Sequence, residues 1–133
     1  MVGHVVVVGA SLAGWRTAEA LRREGHSGRI TLIGAEPELP YDRPPLSKQF
    51  LTDDWEDAKL TLARDGVEGV GAEWRLGEEA VALDVATRSI TLASGERVAG
   101  ADAIVIATGA RARRLPFGRD LDGVLELRTR AGL

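Results

Sequence analysis

The sequence predicts an α/β fold, in which a parallel sheet carries a helix and an inserted antiparallel β-meander. Two short runs rich in β-branched and apolar residues, His4–Val8 and Arg29–Ile33, are typical of strands buried on both faces. Between them, from Leu12 to Glu24, apolar residues recur at helical spacing. A strand, a helix and a strand within about 30 residues predict a βαβ unit with parallel pairing and a right-handed crossover.

The segments after this unit are less regular. Gly25 is expected to end the helix in a left-handed conformation. The stretch Pro37–Leu51 carries four of the five prolines, at 37, 40, 44 and 45, and is expected to run largely extended over the surface. Trp55–Asp65 is predicted as a short helix and Trp74–Leu76 as a strand.

The second half of the chain predicts the meander and one more buried strand. Ala80–Leu83, Ser89–Leu92 and Glu96–Val98 are short strand candidates separated by polar or glycine-containing turns, so the meander covers about residues 79–98. Ala103–Ala107 is wholly apolar and is expected to return to the parallel sheet. Three tryptophans, at positions 15, 55 and 74, are predicted to pack in the interior.

Composition excludes several classes of function. The 133 residues are 44% hydrophobic and 28% charged, with a net charge of −3, so disorder and nucleic-acid binding are not expected. No apolar run approaches the ~20 residues of a membrane span. The chain has no cysteine, and no apolar leader precedes the first strand, so the cytoplasm is the expected compartment. Neither His4 nor His26 has a second ligand at metal-binding spacing, so no metal site is predicted.

A glycine-rich run lies where the first strand turns into the helix, at Gly9–Gly14 (GASLAG). Gly9 permits the tight turn, the small Ser11 lets a pyrophosphate approach the backbone, and Gly14 lets the helix pack close to the strand. The first helical amides then point at the phosphates. Gly9, Ser11, Ala13 and Gly14 are therefore candidate residues for binding a dinucleotide in a Rossmann-like fold.

Two further features fit a dinucleotide. Glu36 follows the second strand, 22 residues beyond Gly14, where a carboxylate can accept hydrogen bonds from an adenosine ribose. Thr108 and Gly109 end the last apolar strand, at the carboxyl edge of the predicted sheet, where backbone can come close to a ligand. These residues indicate a dinucleotide and leave open whether it is FAD or NAD.

A proline-rich loop follows the acid, with the sequence PYDRPPLSK from position 40 to Lys48. Its prolines stiffen the segment, and Leu46–Leu51 is expected to form one helical turn that aims Lys48 inward. A lysine held beside a reducible ring would stabilise negative charge developing there. Lys48 is therefore the candidate catalytic residue.

Four runs taken together resemble one family: VVVVGASLAGWRTAEALRREG, ITLIGAEPELPYDRPPLSKQFL, IVIATGARARRLP and LELRT. The sequence is similar to the FAD-dependent, NAD(P)H-oxidising ferredoxin reductases, within the pyridine nucleotide-disulfide oxidoreductase superfamily. The likeness covers essentially the whole chain, in the same order and spacing. The resemblance favours FAD over NAD as the ligand.

The resemblance also implies roles for individual residues. The glycine-rich run would hold the FAD pyrophosphate and Glu36 the adenosine ribose. Ala80 would offer backbone contact to the adenine, and Lys48 would lie near the isoalloxazine. The remaining positions that the resemblance assigns to FAD binding are Arg43, Thr108, Gly109 and Arg128.

For function, the resemblance implies an NAD(P)H-dependent ferredoxin or rubredoxin reductase that passes electrons through FAD to an iron–sulfur protein. It implies that residues 1–133 are the N-terminal part of the FAD-binding domain, with an incomplete sheet and without nicotinamide and C-terminal interface domains. The isolated chain is then expected to be inactive. A non-catalytic nucleotide-binding module and a self-associating fragment remain open as alternatives.

Overall fold

The computed structural model describes residues 1–132, which form two compact units. The first unit comprises Met1–Tyr41 and Leu62–Gly109, and the second comprises Asp42–Thr61 and the described residues from Ala110 onward. The strands and helices are β1 His4–Val8, α1 Leu12–Arg23, β2 Arg29–Gly34, α2 Asp57–Leu60, β3 Glu73–Leu76, β4 Ala80–Asp84, β5 Ser89–Leu92, β6 Arg97–Val98 and β7 Ala103–Ile106. Three 3-10 turns lie at Pro44–Ser47, Glu68–Val70 and Arg130–Gly132.

The first unit has three layers, with a parallel sheet in the middle. The sheet has the order β3-β2-β1-β7, and every neighbouring pair is parallel. The antiparallel meander, in the order β4-β5-β6, is the second sheet. The α/β class, the βαβ unit and the inserted meander are thereby confirmed.

The fully buried strand β1 explains the four consecutive valines at positions 5–8. Val5 and Val7 belong to a core that includes Trp15 of α1. Val6 and Val8 belong to a second core, with Ile90, Leu92 and Val98 of the meander. Because successive side chains of a strand point to opposite faces, a strand covered on both sides must be apolar at every position.

Two tryptophans pack as predicted. Trp15 is 2% exposed, and its ring stacks on that of Trp74, with centroids 5.8 Å apart and an interplanar angle of 27°. Such an offset pair adds about 0.5–1.5 kcal/mol to the area that it buries. The contact fastens α1 to the edge strand β3.

The region between β2 and β3 differs from the prediction. The helix expected over Trp55–Asp65 is limited to the four residues of α2. The helical turn expected over Leu46–Leu51 instead begins at Pro44 and ends at Ser47, because the fixed φ of proline suits the first helical position. The stretch Pro37–Leu51 was expected at the surface, but four of its residues are buried: Pro40, Tyr41, Pro45 and Leu46.

None of the helices described between residues 1 and 132 combines the length and the apolar character needed to cross a membrane.

Asp102 fixes the start of β1. Its Oδ2 accepts hydrogen bonds from the backbone N–H groups of Gly3, at 2.7 Å, and His4, at 2.9 Å. The hydrogen bonds from the His4 and Gly3 amides lower the pKa of the Asp102 carboxyl. A carboxyl whose pKa is lower in the folded state stabilises the fold above its unfolded pKa, and the contribution disappears as pH falls through the folded pKa.

We therefore predict that the contribution of Asp102 begins to decline below about pH 4, near the unfolded pKa of an aspartate, and is lost as the pH falls through the lower folded pKa. Asp102→Asn should be less stable than the parent at pH 7, and the difference between them should shrink at acidic pH. Urea unfolding of both proteins at pH 7 and at acidic pH measures the difference in the free energy of unfolding. Because Glu73, Asp84 and Glu96 also have lowered pKa values, the difference between variant and parent is the relevant quantity. A constant difference at all pH values would contradict the assignment.

Candidate functional site

The glycine-rich turn that follows β1 is closely packed by backbone. Gly9 has φ of 113°, and its N–H donates to the carbonyl of Ile33 at 2.8 Å. A Cβ on Gly9 would overlap the carbonyl of Ala107, and a Cβ on Gly14 would overlap the carbonyl of Gly9. Both glycines are therefore required. Gly9 is required by the turn and by the nearby end of β7, and Gly14 by the close approach of α1 to the end of β1.

The N-terminus of α1 is suited to bind an anion. Ser11 precedes the helix in an extended conformation and makes no side-chain cap hydrogen bond. The first amides of an α-helix have no acceptor within the helix. No acidic residue lies in the first turn of α1, and Leu12 and Ala13 are exposed. A phosphate could accept hydrogen bonds from these amides at the positive end of the helix dipole, so the residues present fit a dinucleotide diphosphate.

The predicted ribose acid and the start of the meander are joined by backbone hydrogen bonds. The N–H of Gly77 donates to the carbonyl of Glu36, and the N–H of Glu78 donates to the carbonyl of Gly34, each at 2.9 Å. Ala80 then begins β4 and pairs with Leu92. The structure therefore brings the segment of Glu36 and the segment leading to Ala80 together after β2 and β3.

The end of β7 meets the glycine-rich turn. The N–H of Ala107 donates to the carbonyl of Val8 at 2.7 Å. The backbone of Ala107 and Thr108 closely approaches Gly9. Thr108 and Gly109 themselves are exposed, and Gly109 has φ of 71°. These two predicted residues therefore follow β7 beside the turn, at the carboxyl edge of the parallel sheet, which is the usual ligand edge of such sheets.

The second unit holds the other three predicted residues. The Nη1 atom of Arg43 donates to the carbonyl of Arg128 at 2.8 Å, so these two residues lie together. Lys48 is exposed, and its Nζ lies 3.4 Å from the carbonyl of Pro44 in its own loop. In the described part of the chain, no group of three or more His, Cys, Asp or Glu residues could hold a metal ion.

Two residues that make side-chain hydrogen bonds were not singled out from the sequence, Tyr41 beside Glu36 and Arg22 at the far end of α1. The hydroxyl of Tyr41 donates to Oε2 of Glu36. Arg22 bonds backbone carbonyls of residues 26, 28, 70 and 71, and so ties the end of α1 to the start of β2. For Tyr41 no local pattern in the sequence indicates burial, because the backbone contact beside it comes from Leu62, 21 residues further on. For Arg22 the sequence gives no indication, because helical periodicity places it on the polar face.

Residues 3–131 match the family model described as pyridine nucleotide-disulphide oxidoreductase. The chain belongs to this family. Among curated members, the benzene 1,2-dioxygenase system ferredoxin–NAD(+) reductase subunit of Pseudomonas putida is 46% identical over 130 residues, which are 97% of this chain and 32% of that protein. The chain thus spans about a third of the length of this relative.

Solved structures of the same family agree with this similarity. The ferredoxin reductase for the CYP199A2 system from Rhodopseudomonas palustris superposes with a TM-score of 0.87 at 36% identity, over 98% of this chain and 32% of that one. The putidaredoxin reductase–putidaredoxin complex gives a TM-score of 0.79 at 33% identity, over 86% of this chain and 27% of that one. The resemblance to ferredoxin reductases is confirmed.

Proposed function

We propose that this chain is the FAD-binding portion of an NAD(P)H-dependent ferredoxin or rubredoxin reductase, whose electron acceptor is an iron–sulfur protein. The observation that carries the proposal is the turn of Gly9 and Gly14, which leaves no room for side chains at these two positions and leads into a helix without a side-chain cap. The sequence similarity to a ferredoxin–NAD(+) reductase, which extends over 97% of this chain, supports the assignment of this reaction.

Residues of this chain would bind and orient the cofactor. The amides after Gly9 hold the diphosphate, and the Ser11 hydroxyl, unused as a helix cap, can donate to the same phosphates. Glu36 accepts hydrogen bonds from the adenosine ribose, and the backbone at Ala80 contacts the adenine. The other residues that we assign to FAD binding are Ala13, Arg43, Thr108, Gly109 and Arg128.

FAD, when bound, accepts a hydride from a nicotinamide and releases electrons singly to an acceptor. The 133 residues contain no cysteine. This part of the protein therefore cannot contribute the dithiol that the family name denotes, and its residues would serve to bind and orient the flavin.

The proposal is tested by titrating the purified chain with FAD, ADP and NAD in a calorimeter. FAD and ADP should each bind in a saturable manner at one site, with NAD weaker than FAD, and ADP should displace FAD. If neither FAD nor ADP binds below about 1 mM, which corresponds to roughly −4 kcal/mol, the proposal is wrong. NAD binding more tightly than FAD would instead indicate a nicotinamide-binding module.

Lys48 gives a prediction about the flavin end of the ligand. If its ammonium contacts the isoalloxazine, Lys48→Ala should lower the affinity for FAD by about three- to tenfold, as expected for loss of one charge-assisted contact. The affinity for ADP, which lacks the flavin, should stay unchanged. Lys59→Ala serves as a control for the loss of one exposed positive charge. Equal weakening of FAD and ADP by Lys48→Ala would contradict the assignment.

We also propose that the protein acts in the cytoplasm. The support is the lack of cysteine in a chain of this length, since proteins of oxidising compartments commonly use disulfides. Fractionation of cells that express the protein at its native level would test the compartment, and recovery in an extracytoplasmic fraction would contradict it.

A further inference from the structure

Glu36 and Tyr41 form a side-chain pair within the first unit. The Tyr41 hydroxyl donates to Oε2 of the Glu36 carboxylate. Tyr41 is 5% exposed, and a buried phenol requires a hydrogen-bond partner. The contact links the predicted ribose acid to a residue that neither the glycine-rich motif nor the family resemblance singled out.

Both residues of the pair are anchored through the backbone. The carbonyl of Glu36 accepts the N–H of Gly77 at 2.9 Å. Directly before Tyr41, Pro40 is fully buried, and its carbonyl accepts the N–H of Leu62 at 3.0 Å. With both backbones fixed, the hydroxyl restricts the rotamers of the glutamate rather than merely following its movement.

We propose that Tyr41 is the positioning residue of the adenosine-ribose site. Its hydroxyl holds the Glu36 side chain in the rotamer that accepts hydrogen bonds from the ribose hydroxyls. A glutamate has several rotatable bonds, so an unrestrained carboxylate would lose conformational freedom on binding. An ionised carboxylate has about four lone-pair sites, so it can accept from a phenol and from a ribose together. This inference rests on the proposed function.

The test compares ADP with 2′,3′-dideoxyadenosine diphosphate, which keeps the diphosphate and the adenine but lacks the ribose hydroxyls. The parent chain should prefer ADP by about tenfold, the size expected for hydrogen bonds to a charged acceptor. Tyr41→Phe, which keeps the packed ring, should reduce that preference to about twofold. Affinity for the dideoxy analogue should change little, because the diphosphate contacts remain.

A second variant covers the case in which Tyr41→Phe does not fold. Glu36→Asp keeps the charge but withdraws the carboxylate by one methylene from the Tyr41 hydroxyl, and it should reduce the preference to a similar extent. Thr52→Val is the matched control. It removes a hydroxyl that donates to the Asp54 carboxylate at 2.6 Å, outside the first unit, and should leave the tenfold preference intact.

The outcomes distinguish the positioning role of Tyr41 from the proposed function of the chain. A full preference for ADP in Tyr41→Phe, or in Glu36→Asp if only that variant folds, overturns the positioning role and leaves the proposed function standing. Equal affinity of the parent for the two ligands overturns the ribose contact of Glu36, and with it the role of Tyr41. Failure of the parent to bind ADP at all overturns the proposed function itself. A purely structural role for Tyr41 would lower the melting temperature and leave the ratio of the two affinities unchanged.

Discussion

Ala13→Glu is expected to weaken FAD and ADP binding at least about tenfold, or roughly 1.4 kcal/mol, without lowering the stability of the free chain. Ala13 is exposed in the first turn of α1, a turn that contains no acidic residue. A carboxylate there would interact favourably with the helix dipole, by about 0.3–1 kcal/mol. The same carboxylate would repel the diphosphate. Stability and affinity should therefore change in opposite directions.

Ala13→Gln is the matched control, because it adds a side chain of the same length without the charge. Calorimetric titration with ADP and thermal unfolding of the free chain measure the two effects. Glutamine should cause a much smaller loss of affinity than glutamate. Equal losses would mean that bulk rather than charge is responsible, and undiminished affinity in Ala13→Glu would place the diphosphate elsewhere.

Gly14→Ala is expected to lower the free energy of unfolding by roughly 1–3 kcal/mol, as typical for overpacking at a buried position. The added methyl would overlap the carbonyl oxygen of Gly9, and a backbone atom cannot move aside as a flexible side chain can. The turn and the start of α1 would have to separate. Urea unfolding measures the loss, and the FAD affinity should fall with it because the amides shift.

Gly69→Ala provides the comparison for Gly14→Ala. Gly69 lies in a 3-10 turn, and a Cβ there meets no atom within 4 Å. The expected change is within about 0.5 kcal/mol, and FAD affinity should not change. If both substitutions lower the free energy of unfolding by the same amount, the close packing at Gly14 is not what stabilises the turn.

The elements around the glycine-rich turn could be predicted from the sequence because local patterns indicate them. The valines of β1 are buried on both faces, α1 has a clear helical period, and Gly25 adopts φ of 90° after the helix. Each of these features is indicated by a pattern of neighbouring residues, although the side chains that cover β1 come from distant parts of the chain. The prediction of the meander succeeded for the same reason, since its three strands are joined by short polar turns.

The segment from Pro37 to Asp65 could not be predicted in the same way. Four prolines suggested an extended surface path, but burial of Pro40 and Tyr41 depends on distant residues such as Leu62, whose N–H bonds the carbonyl of Pro40. Likewise, the contact of Arg43 with the carbonyl of Arg128 joins residues 85 positions apart. Periodicity cannot reveal such contacts. The resemblance assigned a role to Glu36 but none to Tyr41, whose hydroxyl donates to it.

The most direct test of the diphosphate contact is to follow the backbone amides of the labelled chain by NMR while ADP is added. Amide groups that bind a diphosphate should show the largest shifts, and these should lie between Ala10 and Trp15. The same amides should respond to inorganic pyrophosphate, and those of the meander turn at Asp84–Arg88 should not. Shifts that leave the first turn of α1 unchanged while ADP binds would contradict the account.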